Sequence, residues 1–304
     1  MIEKMKFGVC IPHYGRPIDA DGLTEMALKA EQMGFDSVWV TDHIIVPHVI
    51  PDRPDIVYRH NMLEPLTLLA HLGAVTKRVN IGTSVIILPY RNPVVLAKGI
   101  ATADVLSGGR VIFGAAVGWM EGEFRALNAP FAERGRVSNE YLRLLKELWT
   151  NPNPTFHGEY FDFSDVTFSP MPLQQPHPPI WVGGRSRAGV RRAVQFGDFW
   201  HPSQMGPQEV SQMAVYLKRY SASVGRQTPP QISVRGRALT FANTSTPGER
   251  TALQGTTREI ISDVQGYADA GVSHVIMEIA GDTYHDKFRA MERFLKEVRP
   301  RVPA

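Results

Sequence analysis

The sequence predicts an α/β fold, a single (β/α)8 TIM barrel, on three observations. Short apolar runs rich in β-branched residues alternate with longer amphipathic segments, the pattern of βα units around a parallel sheet. Eight such units follow one another, and eight right-handed crossovers close naturally into a barrel. The first strand-to-helix turn reads IPHYGRP, so the G-x-G-x-x-G of a doubly wound dinucleotide-binding sheet is absent.

In chain order the strands are predicted at 7–12, 37–41, 80–88, 110–117, 179–183, 198–201, 231–241 and 274–279. Their apolar character on both sides suits a sheet covered on both faces. The helices that follow are predicted at 23–33, 65–76, 93–106, 136–148, 188–196, 209–224, 257–270 and 285–298. One stretch breaks the rhythm. Residues 150–178 are rich in proline and aromatics without helical period, and they read as an insertion before strand five, packed over the barrel.

Length and composition agree with one domain over 1–304, since such barrels commonly run to roughly 250 residues or more. Hydrophobic residues at 43% supply a large core, and a net charge of +3 with evenly spread Lys and Arg argues against nucleic acid and membrane surfaces. The single cysteine, Cys10, excludes an intramolecular disulfide and reads as core filler in the first strand. The opening MIEKMKFGVCIP is too short and too broken by charge for a signal peptide, and the expected location is cytoplasmic.

Chemistry in such barrels gathers at the carboxyl ends of the strands. His13 and Tyr14, Asp42 and His43, Pro89 to Asn92, Gly118 to Glu121, Gly183 to Arg187, His201, Phe241 to Asn243, and Gly281 with Asp282 all fall there. His43 after Asp42 either hydrogen-bonds a cofactor ring and moves a proton, or caps its own loop. Glu64, before Pro65, is first a helix-start acid, with its place near the barrel mouth making it a candidate. In WVGGRSRAGVRRA two glycines open a helix beside Arg185 and Arg187, an arrangement suited to phosphate or simply to a tight turn. Period two puts Arg235 and Arg237 on one face of strand seven, where Glu278 of strand eight is the expected partner, either as a structural pair or beside substrate. A metal-dependent hydrolase using His13, His43 and His201 is the alternative from another class, without an H-x-H or a carboxylate cluster in support.

Four stretches together resemble the luciferase-like monooxygenase family, and in particular its branch that uses the deazaflavin coenzyme F420. They are GFDSVWVTDHI; the long run EPLTLLAHLGAVTKRVNIGTSVIILPYRNPVVLAKGIATADVLSGGRVIFGAAVGWMEGEF; the pair HGEYFDF and PPIWVGGRSRAGVRRAVQFGDFWHP; and YADAGVSHVIME. They cover nearly the whole chain, while residues 228–243 of strand seven carry little family signal. The barrel is then of the bacterial luciferase-like type.

The resemblance implies a cofactor ring over the barrel mouth, against a strand-three bulge with a non-prolyl cis peptide at Ser84-Val85. It places Asp42 and His43 at the ring and its reactive edge, Gly118 and Trp119 beside ring or tail, and Gly183, Gly184 and Arg187 on the phosphate. F420 is the favoured cofactor and FMN the alternative, the latter with a two-component monooxygenase and a flavin reductase partner. With F420, His43 is the proton donor or acceptor and Trp119 a substrate wall; His13 and Glu64 are further substrate candidates. The substrate is expected to be small, organic and hydrophobic, with its pocket drawn from 48–61, the insertion and strand seven. A homodimer is expected by resemblance, with Trp39, Met62 and helices two and three offering an interface.

Overall fold

In the computed structural model, residues 4–15, 19–48, 50, 61–245, 248 and 250–302 are described. The βα order is the one predicted, and the fold class is the (β/α)8 barrel. The strands are β1 (Lys6–Cys10), β2 (Ser37–Val40), β3 (Asn80–Thr83), β4 (Ile86–Ile87), β5 (Val111–Ala116), β6 (Phe156–His157), β7 (Asp162–Phe163), β8 (Ile180–Gly183), β9 (Phe199–His201), β10 (Gln231–Phe241), β11 (Gln254–Gly255) and β12 (Val272–Ile279). The α-helices are α1 (Ala20–Met33), α2 (Pro65–Val75), α3 (Pro93–Ser107), α4 (Glu121–Ala126), α5 (Arg134–Thr150), α6 (Arg187–Phe196), α7 (Pro207–Ser223), α8 (Thr257–Asp269) and α9 (Tyr284–Arg293). The eighth helix was predicted to 298; α9 instead passes at Phe294 into a π-helical turn that ends at Val298.

The chain forms two compact units. Unit 1 comprises Met1–Ile11, Asp21–Trp39 and Trp181–Ala304, and unit 2 comprises Pro12–Ala20 and Val40–Ile180.

In unit 1, parallel pairings join β8 to β9, β9 to β10, β10 to β12, β12 to β1 and β1 to β2. Inside them lies a ring stack: Trp39 and Trp181 are 4.8 Å apart by centroid, and His201 and His274 pack against both. Ser37 Oγ accepts the Trp39 Nε1–H at 2.7 Å and meets His274 Nε2 at 2.8 Å, which satisfies polar atoms that burial would otherwise penalise. Gly8 makes room, since a Cβ there would sit 2.4 Å from Ser37 Oγ. Trp39 is fully buried in this stack. It therefore supplies no subunit interface, contrary to expectation. Cys10 is buried as expected, and burial pushes its thiol up to about 12.

Strand β10 departs from strict alternation. Arg235 lies opposite Ile276 and Ala238 opposite Glu278, so three steps on β10 span two on β12, a β-bulge. Arg235 is buried and pairs with Glu278, the partner the sequence suggested. Arg237, expected on the same face, is exposed instead.

In unit 2, β3 and β4 both pair with β5. They are one predicted strand interrupted at Ser84-Val85, whose peptide bond is cis, as the family resemblance implied. Gly114 on β5 lets the backbones approach: an added Cβ would lie 1.8 Å from the Thr83 carbonyl oxygen. Helix α3 starts on Asn92, whose side chain accepts the Val94 and Val95 N–H groups ahead of Pro93, and ends at left-handed Gly108. The insertion opens with an antiparallel β6–β7 hairpin pinned by buried Glu140, which accepts the N–H groups of Glu159, Tyr160 and Phe161. Further on it packs against α3 through Lys98 over the Phe168 ring and Asp104 with Gln174.

Candidate active site

The residues expected at the reactive edge come together in unit 2. His43, just past β2, is buried, and its Nδ1 lies 2.7 Å from Glu123 Oε2. Glu123 sits in α4 at 0% exposure. Its Oε1 also accepts the N–H groups of Ile44 at 2.6 Å and Ile45 at 3.2 Å, and its Oε2 accepts the Tyr90 hydroxyl at 2.9 Å. Four donors converge on one sealed carboxylate, which meets the cost of burying a charge. Burial and the Glu123 carboxylate push the Tyr90 phenol well above its ordinary range, so it remains a donor.

Asp42 faces a different set of partners. Arg91 grips its two oxygens at 2.6 and 2.9 Å, and the Ile87 N–H reaches Oδ2 at 2.8 Å. Burial raises the Asp42 carboxyl while Arg91 and Ile87 oppose that rise. The same guanidinium continues to Glu64 at 2.9 Å. Glu64 caps α2 by accepting the Thr67 N–H at 2.8 Å, the helix-start role read from its place before Pro65. His13 is fully buried, and its Nε2 accepts the Thr41 N–H at 2.9 Å, fastening the chain that leads into Asp42 and His43.

Gly118 has φ +82°, and a Cβ there would come within 2.7 Å of Ile87 and Phe124, so only glycine fits. Next to it, Trp119 stands 43% exposed with its ring edge-on to His43, centroids 6.4 Å apart. Ile44 and Ile45 are 42% and 49% exposed. A buried acid-imidazole pair is thus flanked by exposed apolar side chains. Of the pocket stretch 48–61, residues 49 and 51–60 lie outside the described residues.

Gly183, Gly184 and Arg187 belong to unit 1. Gly184 has φ +133° and lies against Gly189 of α6, where a Cβ would be 3.3 Å from the Gly189 Cα. Ser186 caps α6 by accepting the Gly189 N–H, and Arg187 lies over the Tyr216 ring. The glycines therefore serve the tight turn and close helix packing, whatever anion they also meet. His201 is buried in the ring stack with Nδ1 2.8 Å from Ser233 Oγ, and burial lowers its imidazole to about 3. Among the described residues, no three His, Cys, Asp or Glu side chains gather as a metal set.

Glu123 is not among the strand-end candidates, whereas Tyr90 and Arg91 fall within one of them, Pro89 to Asn92, without a role assigned to either. Glu123 lies 80 residues from His43 and in a six-residue helix without periodicity, so spacing could not pair them. The available signal was an acid three residues beyond the strand-end Trp119-Met120.

The profile of the luciferase-like monooxygenase family matches residues 5–291. The chain belongs to the luciferase-like monooxygenase family. Among its relatives, the FMNH2-dependent dimethylsulfone monooxygenase of Pseudomonas putida is 39% identical over 143 residues, covering 46% of this chain and 39% of that protein. An F420-dependent glucose-6-phosphate dehydrogenase of Amycolatopsis mediterranei is 27% identical over 93% of this chain and 94% of its own. The solved structure of an F420-dependent secondary alcohol dehydrogenase with an F420-acetone adduct superposes with a TM-score of 0.81 at 18% identity, covering 99% of this chain and 100% of that one. The solved structure shares the fold, and membership of the family together with these sequence relatives, one FMNH2-dependent and one F420-dependent, makes the protein an oxidoreductase of the luciferase-like family. No helix among the described residues is long and apolar enough to cross a membrane.

Proposed function

We propose that the chain, acting as one domain, is an F420-dependent oxidoreductase that moves a hydride between the deazaflavin and a small hydrophobic organic substrate. The observation that carries this reading is the buried His43–Glu123 pair beside exposed Trp119, Ile44 and Ile45. Hydride transfer to a carbonyl, or from an alcohol, requires a proton moved alongside, and an imidazole held by a carboxylate is built to move one. The apolar side chains beside it fit a planar ring and an apolar substrate.

When bound, the deazaflavin supplies a ring carbon that gives or takes hydride and does not activate oxygen. Glu123 fixes His43 through Nδ1, so the exchangeable proton is the one at Nε2. Asp42 ties the backbone at Ile87 to Arg91 and so sets the segment after Ser84 and Val85, which would back the ring. Gly118 would let the chain border the ring, and Trp119 would wall the substrate. Gly183, Gly184 and Arg187 would hold the phosphate. Similarity to an F420-dependent relative over 93% of the chain supports this cofactor. Higher identity to an FMNH2-dependent monooxygenase over 46% of the chain supports the second reading, an FMN-dependent oxygenase fed by a flavin reductase. A homodimer is the expected assembly.

Two assays run in parallel test this. Reduced or oxidised F420 is mixed with a panel of ketones and alcohols while absorbance and dissolved oxygen are followed. The F420 reading predicts a change in deazaflavin absorbance without oxygen uptake. Oxygen consumption with reduced FMN, and inertness toward F420, would overturn it.

A further inference from the structure

Unit 1 contains a cavity of about 390 Å³ lined by three arginines, Arg185, Arg237 and Arg250, with Glu209, Gln204 and Thr251 among its other walls. Gly183, Gly184 and Arg187 do not line it. The loops after β8 and β9, the outer half of β10 and the chain leading into β11 all contribute.

The arginines are not equivalent. Arg250 is fully engaged: it grips Asp263 at 2.6 and 2.7 Å and also donates to the Gln254 carbonyl at 2.9 Å. Among the described residues Arg185 reaches Glu209 alone, at 3.3 Å, with both side chains half exposed, a contact that water screens. Glu209 in turn caps α7 by accepting the Gly206 N–H at 2.8 Å. Arg237 makes no hydrogen bond or ion pair with another described residue. It comes to this wall through the bulge that separates it from Arg235. Gly236 allows that bulge to lie flat on the protein, since a Cβ there would fall 2.3 Å from Leu253 Cδ1. With Arg250 held by Asp263 and 3.9 Å from Glu259, and Arg185 against Glu209, Arg237 is the guanidinium of this lining that no carboxylate among the described residues offsets.

We propose that this cavity is an anion site for a phosphate ester or a small polycarboxylate, with Arg237 as its primary contact and Arg185 as its second. The planar fork of an arginine matches the oxygens of either group. Arg250, locked by Asp263, forms a fixed charged wall. A phosphate monoester carries about −1.5 to −2 charge near neutral pH, enough to engage Arg237 and to draw Arg185 from its screened contact with Glu209. The inference is independent of the cofactor assignment.

Calorimetric titration of the purified full-length chain with pyrophosphate and with citrate, at constant ionic strength, tests it. Wild type is compared with Arg237→Ala, Arg237→Lys, Arg187→Ala and Arg219→Ala, the last removing an exposed positive charge on α7 away from the cavity lining. The expected result is saturable binding weakened about tenfold or more by Arg237→Ala, weakened less by Arg237→Lys and unchanged by Arg219→Ala, while Arg187→Ala, at the phosphate position of the proposed function, costs less than Arg237→Ala. A response to pyrophosphate alone identifies the phosphate group as the chemistry recognised, and a response to citrate extends it to carboxylates. No saturable binding, unaltered binding by Arg237→Ala, or a larger loss with Arg187→Ala would overturn the proposal. None of these outcomes bears on His43, which F420 titration probes separately.

Discussion

Glu123 lies with its Oε2 2.7 Å from His43 Nδ1, from a helix that sequence periodicity does not reveal. The same carboxylate gathers the Ile44 and Ile45 amides and the Tyr90 hydroxyl, so the loop that carries His43 is fixed together with its ring. Under the proposed function, Glu123 is a positioning residue and His43 the group that meets the reaction. Glu123→Gln keeps the size and removes the charge. It should lower kcat about a hundredfold while F420 affinity stays within about threefold of wild type. Steady-state kinetics and a binding titration on the same preparation check this; parallel losses in both would make Glu123 a general support of the fold.

Arg91 and Asp42 form a second coupled pair, with side-chain exposures of 12% and 0%. Arg91→Met leaves a buried carboxylate without its cation and should destabilise by about 3 kcal/mol or more. Adding Asp42→Asn removes the stranded charge, so the double variant should be more stable than the sum of the two single losses predicts. Urea unfolding of the four proteins measures the coupling, and simple additivity would contradict it.

The approach of β3 to β5 at Gly114 makes a steric prediction. Gly114→Ala places a Cβ 1.8 Å from a backbone oxygen that cannot turn away, whereas Gly225, at φ +77°, has nothing within 4 Å. Gly225→Ala should cost about 1 kcal/mol from its left-handed backbone alone. Gly114→Ala should cost several times as much or fail to accumulate as folded protein. Equal melting points for the two variants would refute the close approach.

How much of this was legible can be followed along particular residues. Strand β10 was bounded at 231–241 from its alternation, and the observed strand is Gln231–Phe241. Alternation could not show the bulge, because an inserted residue leaves the apolar pattern almost intact while turning Arg237 away from Arg235. Strand three read as continuous from 80 to 88, and only family resemblance suggested its break at Ser84-Val85. Asp42 and His43 were placed at a strand end by counting βα units. Their partners come from segments 45 to 80 residues away in sequence, and such pairings have no local signature. Trp39 lies in the core and not at an interface, a distinction the sequence does not carry because a single aromatic in a strand looks alike whether it faces a neighbour or the core.

Acid sensitivity follows from two histidines in the unit 1 ring stack. Burial lowers His201 to about 3, with Arg235 adding to the effect, and lowers His274 to about 3, with Lys6 and His201 adding. In the unfolded chain both titrate near 6.5. Between those values the unfolded state takes up protons that the folded state refuses. Stability is therefore complete above about pH 6.5 and falls as pH drops toward 3, by roughly 1.4 kcal/mol per pH unit for each histidine. Urea midpoints at several pH values should decline over this window, and His274→Gln should reduce the slope. A flat profile from pH 7 to 5 would contradict the buried, neutral imidazoles.

Use of F420 by this luciferase-like barrel is tested most directly by an equilibrium fluorescence titration of the purified apoprotein with F420 and, in parallel, with FMN. Saturable F420 binding, with FMN leaving the signal unchanged, is the predicted result. Binding of FMN alone would move the protein to the reductase-fed monooxygenases, and binding of neither would contradict the account of the site.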